Sequence, residues 1–224
     1  MKTQKLRLGI IIVFLCGVFT TVSAQKAGES AKDVDGNIYE SVVIGTQTWL
    51  TENLKSTRYD DATEIKEMKD NGEWAKATAP GFCWYNNDAA NKDEYGALYN
   101  WHVIKNGNIC PKGWHVPTDA EWTTLETFVG GSDQAALMLK EKGTQHWKST
   151  SDAVEDTYIF SAIAAGFRNS DGNFTYQLSD CCFWTATPST PTYARNRSFS
   201  YYDKGIRSRD IQRTNGYSIR CVKD

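Results

Sequence analysis

Eight Trp, eleven Tyr and nine Phe in 224 residues argue for an ordered, aromatic-rich interior and exclude a disordered chain. With 25 basic and 27 acidic residues the net charge is −2, so there is no overall basic field and no nucleic-acid partner is expected. Seventeen Gly with frequent Asn and Asp point to many turns, hence to short strands.

The first two dozen residues stand apart. Lys2, Lys5 and Arg7, the apolar run from Leu8 to Phe19 and the small-residue site Val22-Ser23-Ala24 follow in the order of a signal peptide over residues 1–24. Gln25 would become the new N-terminus, and the protein is expected in the periplasm, on the outer surface or outside the cell. The apolar run is too short to span a bilayer and no second one follows, so no transmembrane segment is expected. Cys16 lacks the small preceding residue of a lipoprotein site, since Leu15 stands there. The 200 residues left suffice for one domain with a sizeable core. Losing Lys2, Lys5 and Arg7 leaves 22 basic against 27 acidic residues; yet from Tyr193 onward six Arg and two Lys face three Asp, a local +5.

Residues 25–32 show no apolar period and predict a short flexible leader, with the domain running from 33 to 224. Asn37–Ile44 and Gln47–Leu54 around Gly45-Thr46 predict an antiparallel hairpin. The charged stretch 60–80, with Asp60, Asp61, Lys66, Lys69 and Asp70, reads as a surface insertion. Phe82–Tyr85 predicts a short aromatic strand, 86–94 a polar turn and Leu98–Ile104 a short helix or strand.

The organising stretch is Cys110 to Trp122. Pro111 and Gly113 bend the backbone, and Pro117 keeps residue 116 out of helical angles. Thr118 then stands as N-cap with Glu121 completing a capping box, ahead of an apolar face of Trp122, Leu125, Phe128 and Val129 that Gly130-Gly131 stops. A second helix is expected from a Ser132 cap through Ala135, Ala136, Leu139 and Lys140 to Gly143. A polar loop around Trp147 follows over 144–157. Strands are then predicted at Ser161–Phe167, Asn173–Leu178, Cys181–Thr187, Tyr193–Tyr202, Ile206–Ile211 and Tyr217–Val222, with turns at Asn169-Ser170-Asp171-Gly172 and Asp203-Lys204-Gly205.

Cys-Pro-x-Gly-Trp-His-Val-Pro-Thr-Asp-x-Glu-Trp at 110–122 closely resembles the signature of the Fibrobacter succinogenes major paralogous domain, a family of secreted bacterial domains. Further pieces match in order: Asp35 to Tyr39, Ile44 to Leu54, Cys83 to Asp88, Tyr95 to Trp101, Gly166 to Gly172 and Gly216 to Asp224. The resemblance covers about residues 33 to 224. More distantly, the Val-Pro-Thr-Asp-x-Glu-Trp and Gly-Tyr-Ser-Ile-Arg-Cys-Val pieces look like the formylglycine-generating-enzyme branch of the C-type-lectin-like folds. The resemblance implies an architecture more than an activity: α+β, a single C-type-lectin-like domain, two helices packed on short, mainly antiparallel strands. It also implies a bridge between Cys110 and Cys221, because such domains anchor their C-terminal strand in this way. Cys83 with Cys181 or Cys182 is the next candidate pair, and five cysteines after signal removal leave one thiol over.

Enzymatic motifs are missing. The formylglycine-generating chemistry, as the resemblance implies, uses a cysteine pair after an Arg-Gly-Gly-Ser-Trp-like strand; here Arg195-Asn196-Arg197-Ser198-Phe199-Ser200 has no cysteine after it before Cys221. His102, His115 and His146 have no paired ligand spacing, so no metal site is expected. Asp33-x-Asp35-Gly36 and Asn169-Ser170-Asp171-Gly172 resemble fragments of calcium loops but lack the distant bidentate Glu, and are read as turns; no cofactor is expected. There is no Gly-x-Ser-x-Gly elbow or phosphate loop. The expectation is a non-catalytic, secreted or surface binding module for a glycan or a protein; the basic C-terminal region reads either as arginines on exposed strand faces of a hairpin or as the footprint of an anionic partner. The rivals are a degenerate formylglycine-generating-type enzyme and a structural part of a surface assembly hooked by the unpaired cysteine. Candidate ligand-binding residues are Trp184, Tyr193, Arg195, Tyr201 and Arg207, since aromatics and arginines anchor interfaces and stack on sugars. Strand alternation is expected to put Arg195, Arg197, Phe199 and Tyr201 on one face, with Arg207 and Arg209 beside them.

Overall fold

A computed structural model describes residues 26–149 and 153–224. The expected signal peptide, with Cys16 and the Gln25 junction, lies outside the described residues. The fold is α+β, with fourteen short strands in five sheets and five α-helices among the described residues, three helices more than expected.

Residues 26–32 are not the free leader expected. Val43 N–H donates to Lys26 O at 3.0 Å and Gly28 N–H to Ser41 O at 2.9 Å, and β1 (Ala31–Lys32) pairs antiparallel with β2 (Ile38–Tyr39). Backbone groups pair whatever the side-chain pattern, and an exposed strand edge offers them partners. β3 (Ser41–Ile44) and β4 (Gln47–Leu50) form the expected hairpin. Ile44 opposes Gln47 across Gly45-Thr46, and Gly45 takes φ +62°.

The charged stretch 60–80 is not a surface insertion. It supplies β5 (Lys66–Glu67) and α1 (Asn71–Ala75), whose cap is the Asp70 carboxylate accepting from Glu73 N–H at 2.8 Å. Ile65, Met68 and Trp74 are buried, and the Arg168 guanidinium sits 4.4 Å over the Trp74 ring. Apolar anchors this sparse produce no periodic signal, so the charges dominate the pattern. β6 (Gly81–Cys83) lies parallel to β5, and β7 (Leu98–Tyr99) pairs antiparallel with β6. α2 (Lys92–Tyr95) precedes β7 and α3 (His102–Asn106) follows it.

β8 (Trp114–His115) leads through Pro117 into α4 (Asp119–Phe128). The capping box is present: Thr118 Oγ1 accepts from Glu121 N–H at 3.2 Å, and the Glu121 carboxylate accepts from Thr118 N–H at 2.8 Å. Trp122, Leu125 and Val129 are buried, with the Trp122 ring 4.9 Å from Trp49 and 5.5 Å from Phe183. Phe128, expected on that face, is 54% exposed. Six residues past Trp122 it lies about 120° round the helix, over Gly45.

α5 (Ala135–Leu139) is shorter than expected and not capped by Ser132, whose carbonyl instead accepts from Ile206 N–H at 2.8 Å. Lys140 ends the helix and turns inward, its buried ammonium donating to Ser200 O at 3.0 Å and Asp203 O at 2.9 Å. β9 (Phe167–Arg168) and β10 (Phe174–Thr175) flank the 169–172 turn. The longer strands expected at Ser161–Phe167 and Asn173–Leu178 break up, with positive φ at Ser161, Tyr176 and Leu178.

β11 (Asp180–Pro188), β12 (Tyr193–Ser200) and β13 (Arg207–Gln212) form an antiparallel meander. β14 (Val222–Lys223) runs between β4 and β8 in the order β3-β4-β14-β8. A disulfide joins Cys110 to Cys221, Cα atoms 6.0 Å apart, and so ties the bend before α4 to that strand. No helix among the described residues is long and apolar enough to cross a membrane.

Candidate functional site

The meander has two faces, and its register decides what each can do. Opposed residues of an antiparallel pair share a face. Phe183 opposes Arg197, which opposes Ser208; Cys181 opposes Phe199; Arg195 opposes Asp210. On this face Phe183 and Phe199 meet Trp122 of α4. Arg197, 3% exposed, donates to Glu126 Oε1 at 2.6 Å, to Ser208 Oγ at 2.7 Å and to the Asp119 carboxylate. Burial raises the pKa of Glu126, an effect the Arg197 charge opposes. Arg197 therefore holds helix to sheet and is all but closed off from solvent.

The other face carries Cys182, Trp184, Asn196, Ser198, Arg209 and Ile211. Five of these, all but Trp184, floor an open cavity of about 560 Å³. Phe167, Tyr176, Tyr217, Lys148, Ser179, Asp180, Tyr201 and Tyr202 complete its lining. Phe167 and Tyr176 stack nearly parallel, centroids 5.5 Å apart with 16° between planes, and Tyr176 is 55% exposed. Its backbone takes φ +63° and Leu178 takes +61°. The loop is pinned all the same: Leu178 N–H donates to Ala164 O at 2.9 Å and Asp180 N–H to Tyr176 O at 2.9 Å, while Lys148 N–H donates to Leu178 O at 2.6 Å. Residues in so sparsely populated a conformation persist because the structure around them fixes it. Elsewhere in the lining the Lys148 ammonium stands 3.9 Å from the Tyr201 ring, which meets Tyr202 at 5.1 Å. Burial raises the Asp180 pKa, and the Lys148 and Arg209 charges oppose the rise.

Residues 42–223 match the model of the Fibrobacter succinogenes major domain. The chain belongs to that family. No curated protein and no solved structure matches it. In this Fibrobacter succinogenes major domain two of the stretches that carry the sequence resemblance are framework. Cys110–Trp122 builds the bend and the helix start, and Gly216–Asp224 brings Arg220, Cys221 and β14 into the core. Arg220 is fully buried and donates to Asn53 Oδ1 at 2.8 Å and Phe160 O at 2.5 Å.

Of the five candidate ligand-binding residues, Tyr201 alone lines the cavity, joined there by Arg209 from the expected arginine face. Trp184 is fully buried, its indole N–H donating to Tyr99 O at 2.7 Å, so it is core. Tyr193, 37% exposed, stands at the far end of β12 opposite Gln212. Arg195 lies on the α4 side of the meander, ion-paired with Asp210 at 3.2 Å. Arg207 opposes Ser198, on the other side, and pairs with Asp203 at 2.8 Å. The expected single arginine face is thus split: alternation along one strand fixes relative sides, but not which side a helix will cover. Tyr176, Phe167, Asn196 and Lys148 were not singled out. Three lie in short, irregular or loop segments where no periodicity marks a side chain for a site.

The acidic turn fragments and the cysteines have other roles. The Asp33 carboxylate accepts from Asn37 N–H at 2.9 Å, Tyr39 Oη at 2.8 Å and Ser56 Oγ, and Asp171 accepts from Asn173 N–H at 2.9 Å. Asp35 accepts from Thr57 and Arg58. Among the described residues no group of three or more His, Cys, Asp or Glu could hold a metal ion. Cys83, Cys181 and Cys182 are free thiols, so neither alternative pair forms. Adjacent in a strand, Cys181 and Cys182 face opposite ways, and burial pushes the Cys83 thiol up to about 12. All three are buried, which withdraws them as hooks to another chain.

Proposed function

We propose that this protein is an exported, non-catalytic binding module that takes a saccharide in the groove beside β11–β13. The observation that carries this is the combination in one groove of a fixed ring pair, Phe167 and Tyr176, with amide, hydroxyl and charged side chains from Asn196, Ser198, Asp180 and Arg209. Flat apolar rings plus a few placed polar groups on rigid elements are what sugar recognition needs.

Export is supported by the ordered basic, apolar and small-residue segments of residues 1–24 and by the Cys110–Cys221 bridge, a bond favoured in oxidising compartments. The bridge from the bend to the last strand also supports a C-type-lectin-like architecture. Against the formylglycine-generating reading, Cys221 is bridged and the other three cysteines are buried with free thiols, Cys181 and Cys182 on opposite strand faces.

The test is a glycan array on the protein beginning at Gln25, with and without calcium, alongside Tyr176→Ala. Saccharide binding that Tyr176→Ala weakens by at least about tenfold is the expected result. Binding of proteins with no saccharide captured, or saccharide binding indifferent to Tyr176, overturns the proposal.

A further inference from the structure

We propose that the saccharide in the groove is an acidic one, and that Arg209, with Lys148 beside it, holds its carboxylate. This rests on the groove being the ligand site, as proposed above. Six arginines lie between Tyr193 and Asp224, and five are engaged. Arg195 and Arg207 have the partners Asp210 and Asp203, and Arg197 has Glu126 and Asp119. Arg213 lies 4.1 Å over the Trp101 ring and donates to Thr190 O at 2.6 Å. Arg220 is hydrogen-bonded in the core. Arg209 differs. Its backbone N–H donates to Asn196 Oδ1 at 3.2 Å, but among the described residues its guanidinium has no hydrogen bond or ion pair, and it lines the cavity.

The charge of the lining points the same way. Lys148 and Arg209 face one carboxylate, Asp180, which leaves the walls at +1. A neutral sugar covering these walls would strip water from a guanidinium without replacing its hydrogen bonds, which is unfavourable. A carboxylate replaces them with two parallel charge-assisted bonds, because the planar arginine fork matches its two oxygens. The Lys148 ammonium, held against Tyr201 at 3.9 Å, supplies a second positive charge in the lining. The Phe167–Tyr176 pair is left to meet the apolar face of the same sugar ring.

Calorimetry of the exported protein decides it. The probes are a set of uronic-acid oligosaccharides, each paired with its own carboxyl-reduced, neutral form, and a sulfated neutral oligosaccharide. The acidic forms should bind at least about tenfold more tightly than their reduced partners, and the advantage should shrink as salt rises. Arg209→Gln should lower binding of the acidic forms to the level of the neutral ones without moving Tm, since the residue is exposed and its backbone bond is kept. Tyr176→Ala should weaken both forms. Equal binding of the two forms, an acid preference that survives Arg209→Gln, or tighter binding of the sulfated sugar overturns this assignment and leaves saccharide binding standing. No binding of any probe, or binding untouched by Tyr176→Ala, overturns the groove itself and this assignment with it.

Discussion

Arg197 Nε lies 2.6 Å from Glu126 Oε1, joining strand β12 to helix α4 inside the protein, 71 residues apart in sequence. Asp119, Ser208 and Thr123 accept further bonds from the same guanidinium. Such a pair is costly to break from one side only, because the abandoned carboxylate stays buried. Arg197→Ala is expected to lower stability by about 3–5 kcal/mol in urea unfolding, with saccharide binding by the folded fraction unchanged. A loss under about 1 kcal/mol would mean that the pair is solvated.

Trp122→Ala is expected to be among the most destabilising single changes, by about 3–5 kcal/mol, because the fully buried ring touches Trp49, Phe160, Phe183 and Phe199. The neighbouring Phe128→Ala, at 54% exposure, should cost far less. Comparable urea midpoints for the two variants would contradict the packing described above.

Reduction or replacement of the Cys110–Cys221 bridge removes a cross-link between residues 111 apart. The expected cost is about 4–5 kcal/mol in the chain-entropy account. Non-reducing peptide mapping should find these two cysteines together and the other three as free thiols. Any other linkage refutes the assignment.

His115 offers a pH test. Its Nδ1 is 2.6 Å from Asp224 and its Nε2 2.8 Å from Glu121. Burial lowers the His115 pKa, but the two carboxylates outweigh it and the net shift is upward from 6.5. Burial raises Glu121, but Thr118 and His115 outweigh that and the net shift is downward from 4.5. The raised histidine stabilises fully below about 6.5 and loses this as pH climbs through its folded pKa. The depressed carboxylate stabilises above about 4.5 and loses this as pH falls through its folded pKa. The stability gap between wild type and His115→Gln should therefore peak between about 4.5 and 6.5 and narrow on either side. A gap constant from pH 5 to pH 9 in urea titrations would exclude this role for His115.

What could be read ahead of the fold was local. Pro117, Thr118 and Glu121 sit within five residues, so the start of α4 was legible to the residue. The disulfide was legible through resemblance alone, because no rule of spacing chooses among the pairings of five cysteines. Trp74 was lost among charges, since the buried cation over it, Arg168, comes from 94 residues further on. The groove was hardest. Its floor depends on which face α4 covers, and its aromatic wall on Tyr176, whose positive φ answers to the surrounding loop rather than to a local motif. The basic C-terminal region did contain the arginine that matters here, but only partner by partner do Arg195, Arg197 and Arg207 separate from Arg209.

Position 222 has a consequence for the order in which this molecule can form. β14 fills the gap between β4 and β8, so one sheet has the hairpin on one side of an interior slot and the bend on the other. That slot stays empty until Val222 has been synthesised, and neither the bridge nor the buried cation at Arg220 can form much sooner. Contacts this distant in sequence close late and slowly. A nascent or partly translocated chain that has not yet delivered Val222 therefore lacks the piece that locks its sheet, so under the proposed export the sheet is completed only after that residue has crossed.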